Sequence, residues 1–380
     1  MRRSETRILT THVGSLPTPI LPQPEPADDT QRMRAQVEAV VAQQREVGLD
    51  LINEGEMTKG GTWISYVDGR FSGLQARERR SGPPATRQGK DRETFADFYD
   101  YATSSGALVY STPAYKTKTQ SANWVCSGPI RYVGQEVLAR QIELLGALVS
   151  PQDGFITSVA PASLEVHCEN EFFDDPDDMV AAIADAMAVE YETIAKAGFT
   201  VQVDDAWIAA LWDRIGIPMG LDKFRRYCAF RIELLNHALA KVPQEQIRYH
   251  LCWGSWHGPH AFDIEMRDMV DLMLSVKAGA YSFEAANPRH EHEYVVWKDV
   301  KLPEGKVMMP GVISHASNVI EHPELVSQRI QRFAALVGRE QVIASADCGF
   351  GGRTHPQIAW AKLAALTEGA RLASRQLWQG

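Results

Sequence analysis

The stretch MVAAIADAMAVEYETIAKAGFTVQVDDA, residues 179–206, places a helix and a strand in the order that decides the fold. Its apolar residues first recur every three or four positions, which predicts an amphipathic helix that ends at Gly198, a natural left-handed cap. The short run Val201–Asp205 then predicts a strand. A helix that leads directly into a strand is the repeating unit of α/β proteins with a parallel sheet.

This unit recurs along nearly the whole chain. PELVSQRIQRFAALVG, Pro323–Gly338, repeats the helical spacing with Pro near its start and Gly at its end. Eight short apolar or β-branched runs predict the strands Thr10–Ser15, Leu51–Glu56, Phe155–Ala160, Val201–Asp205, Tyr249–Trp253, Ala280–Ala285, Val307–Ile313 and Val342–Asp347. Parallel strands need crossover helices, and eight of them close the sheet, so we predict a (β/α)8 TIM barrel.

One segment, from about residue 65 to residue 140, interrupts the alternation. It begins with polar residues, Gly and Pro (SGPPATRQGKDRE, 81–93) and continues with hairpin-like runs around ALVYST (107–112) and NWVCSGPIRYV (123–133). Its apolar content is thin for a domain of its own. We therefore predict a single catalytic domain over residues 1–380, with an inserted hairpin and loop segment after the second strand that covers one mouth of the barrel.

The charge pattern narrows the classes of partner. The formal net charge is -9 and the lysines and arginines are scattered, whereas a nucleic-acid surface needs concentrated positive charge. The N-terminus (MRRSETRILTTHVGS) lacks the apolar segment of a secretory signal, and no run approaches the roughly 18 apolar residues of a membrane span. We expect a cytoplasmic protein without nucleic-acid or membrane partners. A homo-oligomer is compatible with the sequence.

The five cysteines are odd in number and widely spaced, which does not indicate a disulfide framework. They are Cys126, Cys168, Cys228, Cys252 and Cys348. In a reducing cytoplasm such thiols remain free for a metal or for chemistry.

Polar side chains collect at the predicted carboxyl ends of strands, where barrel enzymes carry their reacting groups. They are Ser15, Glu56, Asp204, His250, Cys252, Glu284, His315 and Cys348. His250 and Cys252 are two positions apart on one strand, so their side chains point to the same face. A thiolate beside an imidazole suits zinc.

Two further strand ends offer ligands that would complete a zinc site. Cys348 supplies a second thiolate and Glu284 an oxygen, which gives three ligands and an exchangeable fourth. The alternative interpretation is two buried cysteines and a core histidine, because free Cys is commonly buried. The placement of these residues at the ends of three different strands favours the metal.

Several motifs together resemble the catalytic C-terminal half of the cobalamin-independent methionine synthase family, in the order of that family and over nearly all of the chain outside the insertion. The motifs are TTHVGSLP (10–17), LINEGEM (51–57), VQVDDA (201–206), YHLC (249–252), SFEAAN (282–287), MPGVISHASNV (309–319) and SADCGFGGRTHPQ (345–357). The resemblance implies the same barrel fold. It also implies a zinc site, because His250, Cys252, Glu284 and Cys348 match the zinc ligands of the family, with Glu284 as the ligand that yields to the incoming thiol.

The resemblance assigns roles to other strand-end residues as well. His315 matches the histidine proposed to donate a proton to the leaving group, with a loop or capping histidine as the alternative. Glu56 and Asp204 match the carboxylates that hold the amino group of homocysteine, and Ser15 matches a residue that holds its carboxylate. The alternatives are a helix cap for Ser15 and ordinary strand-end acids for the other two.

The donor side departs from the family pattern. The family's tryptophan that stacks on the pterin should follow VAPAS (159–163), but SLEVHCENEFF (163–173) contains no Trp. We also expect a chain without the N-terminal barrel of full-length members. Folate is therefore in doubt as the donor. Trp253 and Trp256 either wall the site or pack within their own loop. We expect RHEHE (289–293) to be a solvated loop.

These observations predict a zinc-dependent methyltransferase that methylates a homocysteine-like thiol, with a small-molecule methyl or alkyl donor that the sequence does not identify. One alternative is an epoxyalkane:coenzyme M transferase type of thiol alkylation, which would favour cationic residues for a sulfonate. A methylcobamide-dependent transferase would need a corrinoid protein partner. A non-catalytic zinc-binding barrel is the alternative from another class.

Overall fold

The computed structural model describes residues 1–22, 28–59, 69–77, 88–107, 124–254 and 256–379. The strands are β1 (Leu9–Thr10), β2 (Phe71–Ala76), β3 (Trp124–Tyr132), β4 (Phe155–Val159), β5 (Cys168–Asn170), β6 (Thr200–Asp205), β7 (Ile247–Leu251), β8 (Ala280–Phe283), β9 (Val307–Ile313) and β10 (Ile343–Ala346). Seven of them form a curled parallel sheet in the order β1-β10-β9-β8-β7-β6-β4. The predicted α/β class with a parallel sheet is confirmed.

Helices connect the strands of this sheet. They are α1 (Asp29–Glu46), α2 (Lys90–Thr94), α3 (Ala96–Ser105), α4 (Gln135–Gly146), α5 (Pro161–Glu165), α6 (Pro176–Lys196), α7 (Ile217–Met219), α8 (Leu221–Ala238), α9 (Val270–Ser275), α10 (Pro323–Val337) and α11 (Pro356–Trp378). Short 3-10 turns occupy Met57–Lys59, Gln244–Gln246, Met266–Asp268, Glu291–Lys298 and Arg339–Gln341, and Trp212–Gly216 is a π turn. None of the helices in the described ranges has both the length and the apolar character that a membrane crossing requires.

Helix α6 confirms the prediction from the opening stretch. Asp175 caps its start by accepting a hydrogen bond from the Asp177 N–H, and Pro176 occupies the first turn. The helix ends at Lys196, just before Gly198, whose φ of 88° is the left-handed conformation that glycine adopts without strain. Strand β6 follows immediately, so the chain turns from helix to sheet within three residues.

The first two predicted strands are shorter than the sequence pattern indicates. Thr10–Ser15 forms a strand only at Leu9–Thr10, and Leu51–Glu56 is reduced to an isolated bridge between Ile52 and Gly154. Side chains provide the reason, because they satisfy backbone groups that a strand would pair. The Gly14 N–H donates to His12 Nδ1 at 3.1 Å, and the Asn53 N–H donates to Gln44 Oε1 at 3.1 Å.

A second, three-stranded sheet lies in the region of the predicted insertion. Strands β2 and β3 are antiparallel, and β3 pairs in parallel with β5. The predicted run at 123–133 corresponds to β3, whereas 108–112 of the other predicted run lies outside the described residues. The single domain over 1–380 and the bounds 65–140 of the insertion remain predictions.

A buried ion pair attaches this smaller sheet to helix α6. Arg70, just before β2, donates to Glu190 Oε2 at 2.9 Å, and both side chains are almost fully buried. The same carboxylate accepts the Tyr132 hydroxyl from β3 at 2.6 Å and the Ser158 hydroxyl from β4 at 2.7 Å. Glu190 therefore links both sheets to one helix.

Arg70→Met should lower the free energy of unfolding by about 3–5 kcal/mol, because it leaves the Glu190 carboxylate buried without its cation. The double variant Arg70→Met/Glu190→Met should recover much of that loss, since no uncompensated charge remains. Urea unfolding of the three proteins measures both effects. A single variant within about 1 kcal/mol of the wild type would show that the pair contributes little to the folded state.

Candidate metal centre

Three side chains converge at the carboxyl end of the parallel sheet. His250 lies in β7, Cys252 follows that strand directly, and Cys348 follows β10. All three are buried, and their potential ligand atoms lie within 4.8 Å of one another. The two sulfur atoms are 3.6 Å apart. The predicted convergence of these residues at strand ends is therefore present in the structure.

Glu284, just after β8, lies beside this cluster. Its Oε1 accepts the Cys252 thiol at 3.4 Å and the Trp253 N–H at 2.9 Å. Its Oε2 accepts the Asn287 side-chain amide at 2.8 Å. Burial raises the pKa of Glu284 to about 7. The carboxylate is thus held next to a thiol while its charge is poorly solvated.

The chemistry of this set fits a metal ion of the zinc type. His250 Nδ1 is fixed by Ser282 Oγ at 3.0 Å, while its buried Nε2 has no nitrogen or oxygen hydrogen-bond partner among the described residues and faces Cys348. The Cys252 thiol, with Arg353 and His250, lowers the pKa of Cys348 well below its usual range despite burial. One imidazole, two thiols and a carboxylate are the donors that zinc prefers, and a fixed second ring nitrogen orients a ligand histidine.

Asp347 organises the loops that carry the cluster. Its Oδ1 accepts the N–H groups of Ala285 and Ala286 at 2.7 and 2.8 Å, and its Oδ2 accepts the Asn287 amide at 3.1 Å. It therefore ties the loop of Glu284 to the loop of Cys348. Sequence reasoning missed Asp347 and Asn287 as site residues, although both lie inside motifs that it had singled out.

Trp253 contributes its backbone to the site and its ring to the core. The indole is fully buried, donates to the Ile264 carbonyl at 2.7 Å and lies 4.5 Å from the His290 ring. The prediction that RHEHE (289–293) is a solvated loop is wrong for two of its residues. His290 and Glu293 are buried because His290 bonds to Glu293 at 2.8 Å and to Asp263 at 3.1 Å.

His315 is buried after β9, and its Nδ1 has no hydrogen-bond partner among the described residues. Burial lowers its pKa to about 3, so the imidazole is neutral at physiological pH. Its carbonyl accepts from His257 at 3.3 Å and from the Thr354 hydroxyl at 3.2 Å. The alternative of a helix-capping histidine applies instead to His322 and His355, whose ring nitrogens accept N–H groups in the first turns of α10 and α11.

Of the predicted acceptor residues, Glu56 lies in a turn and Asp204 lies near the end of β6. Glu56 has a φ of 63°, which is uncommon for a residue other than glycine, and accepts the Thr157 hydroxyl at 2.6 Å. Asp204 pairs in register with His250 and accepts from Gln202 at 2.6 Å. Burial raises the pKa of Asp204 to about 7.

Ser15 joins this group through its backbone. Its carbonyl accepts the N–H groups of Phe350 and Gly351 at 2.8 and 3.2 Å, which places it against the loop of Cys348. The adjacent Gly14 has a φ of 131°, and a Cβ there would lie 3.1 Å from Glu56 Oε1. Glycine thus allows the Ser15 turn to approach the Glu56 carboxylate.

An aromatic wall stands beside the metal cluster. The rings of Trp207 and Trp256 are 6.4 Å apart and nearly parallel, and the Arg214 guanidinium lies 5.2 and 4.8 Å from them. A Cβ on Gly254 would collide with the Trp256 ring, and the Gly254 N–H points at the Cys252 sulfur at 3.4 Å. Gly254 thus connects the Trp256 ring to the thiol of Cys252.

Helix α2 covers this wall. The Asp91 carboxylate accepts the Ala261 N–H at 3.0 Å and the Tyr99 hydroxyl at 2.7 Å. The Asp91 N–H donates to Asp213 at 2.9 Å, next to Arg214 in the chain. Residues within the predicted insertion thus lie over the loops that follow β6 and β7.

A family model described as the catalytic domain of the cobalamin-independent synthases matches residues 169–371, more than half of the chain. The chain belongs to the cobalamin-independent synthase family. The matched range contains the metal cluster, Glu284, His315 and Asp204, whereas Ser15 and Glu56 precede it.

Curated relatives of this family member are distant. A 2-hydroxypropyl-CoM lyase of Xanthobacter autotrophicus is 26% identical over 38% of this chain and 45% of the relative. A chloroplastic 5-methyltetrahydropteroyltriglutamate–homocysteine methyltransferase of Arabidopsis thaliana is 24% identical over 51% of this chain and 22% of the relative. The chain thus matches less than half the length of both. An uncharacterized protein of Bacillus subtilis is 22% identical over 86% of this chain and 82% of its own.

Solved structures of the family share the fold. A B12-independent methionine synthase from Shewanella, in complex with selenomethionine, superposes with a TM-score of 0.71 at 16% identity, over 98% of this chain and 100% of that chain. A putative vitamin-B12 independent methionine synthase from Listeria monocytogenes gives 0.64 at 17% identity, over 96% and 98%. At these identities the likeness concerns the fold alone.

Asp347→Asn should lower the free energy of unfolding by about 2–3 kcal/mol, because the amide replaces one acceptor oxygen of a buried, three-bonded carboxylate. Urea unfolding with metal chelated measures the loss. The control is Asp271→Asn, an exposed carboxylate paired with Arg225, which should change stability by less than about 1 kcal/mol. Equal effects of the two substitutions would show that Asp347 does not organise the loops.

Proposed function

We propose that this chain is a zinc-dependent transferase that moves a methyl or related carbon group onto the sulfur of a small, homocysteine-like thiol. The observation that carries the proposal is the buried set of His250, Cys252, Cys348 and Glu284 at the carboxyl end of the sheet. Membership of the cobalamin-independent synthase family supports the same reaction class.

His250, Cys252, Cys348 and Glu284 would hold the zinc ion. When bound there, zinc lowers the pKa of a thiol that joins it and so supplies a nucleophilic sulfur at neutral pH. Glu284 is the ligand suited to give way, because the Trp253 N–H and the Asn287 amide already hold its two oxygens in place. A carboxylate with these partners can leave the ion without becoming an unpaired buried charge.

The acceptor would lie between the metal cluster and the side chains of Ser15, Glu56 and Asp204. A carboxylate on the acceptor would bind at the Ser15 turn, and Glu56 and Asp204 would face the carbon next to it. Thr157 and Gln202 fix the two carboxylates through hydrogen bonds of 2.6 Å each. Such pre-set partners reduce the entropy lost when a small thiol is oriented for reaction.

His315 would act on the donor. Its buried Nδ1 lacks a partner among the described residues, so this atom is open to the leaving group. Because burial keeps the imidazole neutral, the ring would stabilise the charge that develops on the leaving group through a hydrogen bond. Trp207, Arg214 and Trp256 would help to exclude water from the reacting carbon, since the Trp256 ring packs on Gly254, whose N–H points at the Cys252 sulfur. We propose that the donor is a small molecule. We also propose that the protein acts in the cytoplasm.

We also propose that the curled sheet closes as an eight-membered (β/α)8 barrel through the segment around Ile52. The Leu51 N–H donates to the Thr10 carbonyl at 3.1 Å, and the Phe155 N–H donates to the Ile52 carbonyl at 3.1 Å. This segment thus contacts the first and the last strand of the seven-stranded order, which supports closure between them.

Alkylation of a sulfonate-bearing thiol is the second candidate. Similarity to the 2-hydroxypropyl-CoM lyase over part of the chain favours it, as does a buried lysine, Lys59, beside Glu56. Both candidates require the same metal and differ in the thiol. A non-catalytic zinc-binding barrel remains the alternative from another class, and thiol binding at the metal distinguishes it.

The first experiment is zinc analysis of the purified protein, followed by titration with homocysteine and with coenzyme M under X-ray absorption. We expect one zinc per chain whose shell gains one sulfur when the correct thiol is added. A zinc whose shell ignores both thiols would contradict thiol activation. Zinc absent after loading would contradict the site itself.

Cys252→Ser and Cys348→Ser should each reduce zinc affinity by at least about 100-fold, because a hydroxyl replaces a thiolate ligand. The matched control is Cys228→Ser, a buried cysteine on helix α8 whose thiol faces the Ile208 carbonyl at 3.9 Å. That variant should retain full zinc content in a competition assay with a chromophoric chelator. Equal zinc binding by all three variants would refute the ligand set.

A further inference from the structure

A buried lysine occupies the pocket that the proposed function gives to the acceptor. Lys59 is the last residue of the turn Met57–Lys59, and this turn directly follows the positive-φ residue Glu56. Its Nζ donates to the Thr157 carbonyl at 2.7 Å and to the Thr157 hydroxyl, and lies 3.5 Å from Glu56 Oε1. The side chain is only 3% exposed, so water screens this charge little.

The position of Lys59 changes the electrostatics that Glu56 offers to a ligand. A buried carboxylate attracts an ammonium group strongly only when its charge is not already compensated. Here one ammonium is built in on the Oε1 side, and the Thr157 hydroxyl completes the coordination of the same oxygen. An acceptor ammonium at Glu56 would therefore meet a like charge that cannot move into solvent.

The charge of Lys59 also affects the pKa values of the surrounding carboxyl groups. It opposes the rise in pKa that burial causes at Glu54, Asp204 and Glu190. Lys59 is thus the cation that lies among the carboxyl groups on this side of the pocket. Its ammonium group occupies this position before any substrate binds.

We propose that Lys59 determines acceptor specificity, and that the natural acceptor is a small thiol acid without a free ammonium group on the carbon beside its carboxylate. This inference rests on the proposed function, because it concerns the acceptor of the same reaction. The amino group of homocysteine would compete with the Lys59 ammonium for Glu56, whereas a hydrogen or an acylated nitrogen at that carbon would not.

A matched pair of thiols tests the proposal. Homocysteine and 4-mercaptobutanoate have the same carbon chain, thiol and carboxylate, and differ in the amino group. Isothermal titration of the zinc-loaded protein gives both dissociation constants without any donor. We expect wild-type protein to bind 4-mercaptobutanoate at least about tenfold more tightly, because placing like charges side by side in a buried site is costly.

Lys59→Met should reverse the preference, because it leaves Glu56 free to pair with the amino group. The control is Lys241→Met, a lysine that is 78% exposed and pairs with Glu192 on the surface, which should keep the wild-type ratio. Retention of the wild-type ratio in a folded Lys59→Met protein would overturn the role of Lys59. The wild-type ratio alone tests the acceptor class if the variant fails to fold.

Two negative results have different meanings. Tighter binding of homocysteine than of 4-mercaptobutanoate by wild-type protein would overturn this inference and leave zinc-dependent thiol transfer intact. Binding of neither thiol to the zinc-loaded protein would overturn the inference together with the proposed function.

Discussion

Burial of an imidazole, two thiols and a carboxylate in one place is the constraint on which the rest of this structure depends. Groups of this kind lose their hydration, and the thiols and the carboxylate repel one another when they are ionised, so the surrounding protein has to hold them together. Ser282 fixes the His250 ring, and Asp347 ties the loop of Glu284 to that of Cys348. The parallel sheet makes the arrangement possible because its carboxyl ends meet at one rim.

The interior of the sheet was predictable because it follows simple periodicity. Helix α6 and strands β6, β7, β8 and β9 lie close to where apolar spacing and length place them, and the alternation of side chains on β7 correctly puts His250 and Cys252 together. The lengths of the strands near Thr10 and Leu51 were overestimated. Their backbone groups form hydrogen bonds to the side chains of His12 and Gln44. These two side chains also contact each other, and no local sequence pattern predicts a contact between positions 32 residues apart.

The same limit applies to polar residues of the site. Lysine is rarely buried, so Lys59 carries no sequence signal of a pocket residue, and its partner Thr157 lies 98 positions away. The segment RHEHE (289–293), which contains His290, was predicted to be a solvated loop. His290 is buried because Asp263 and Glu293 outweigh the cost of desolvation and raise the pKa of His290 to about 10.

The proposed site lies partly inside and partly before the range that the family model matches. The family model spans the metal cluster, Glu284 and His315, but the turns that carry Ser15, Glu56 and Lys59 lie before it. Under the proposed function, the residues that would activate the thiol lie inside the matched range, whereas most of those that would orient the acceptor lie before it. Because loops that follow the strands of a sheet change with little effect on the core, we expect changes in acceptor preference to arise in turns such as Gly55–Lys59.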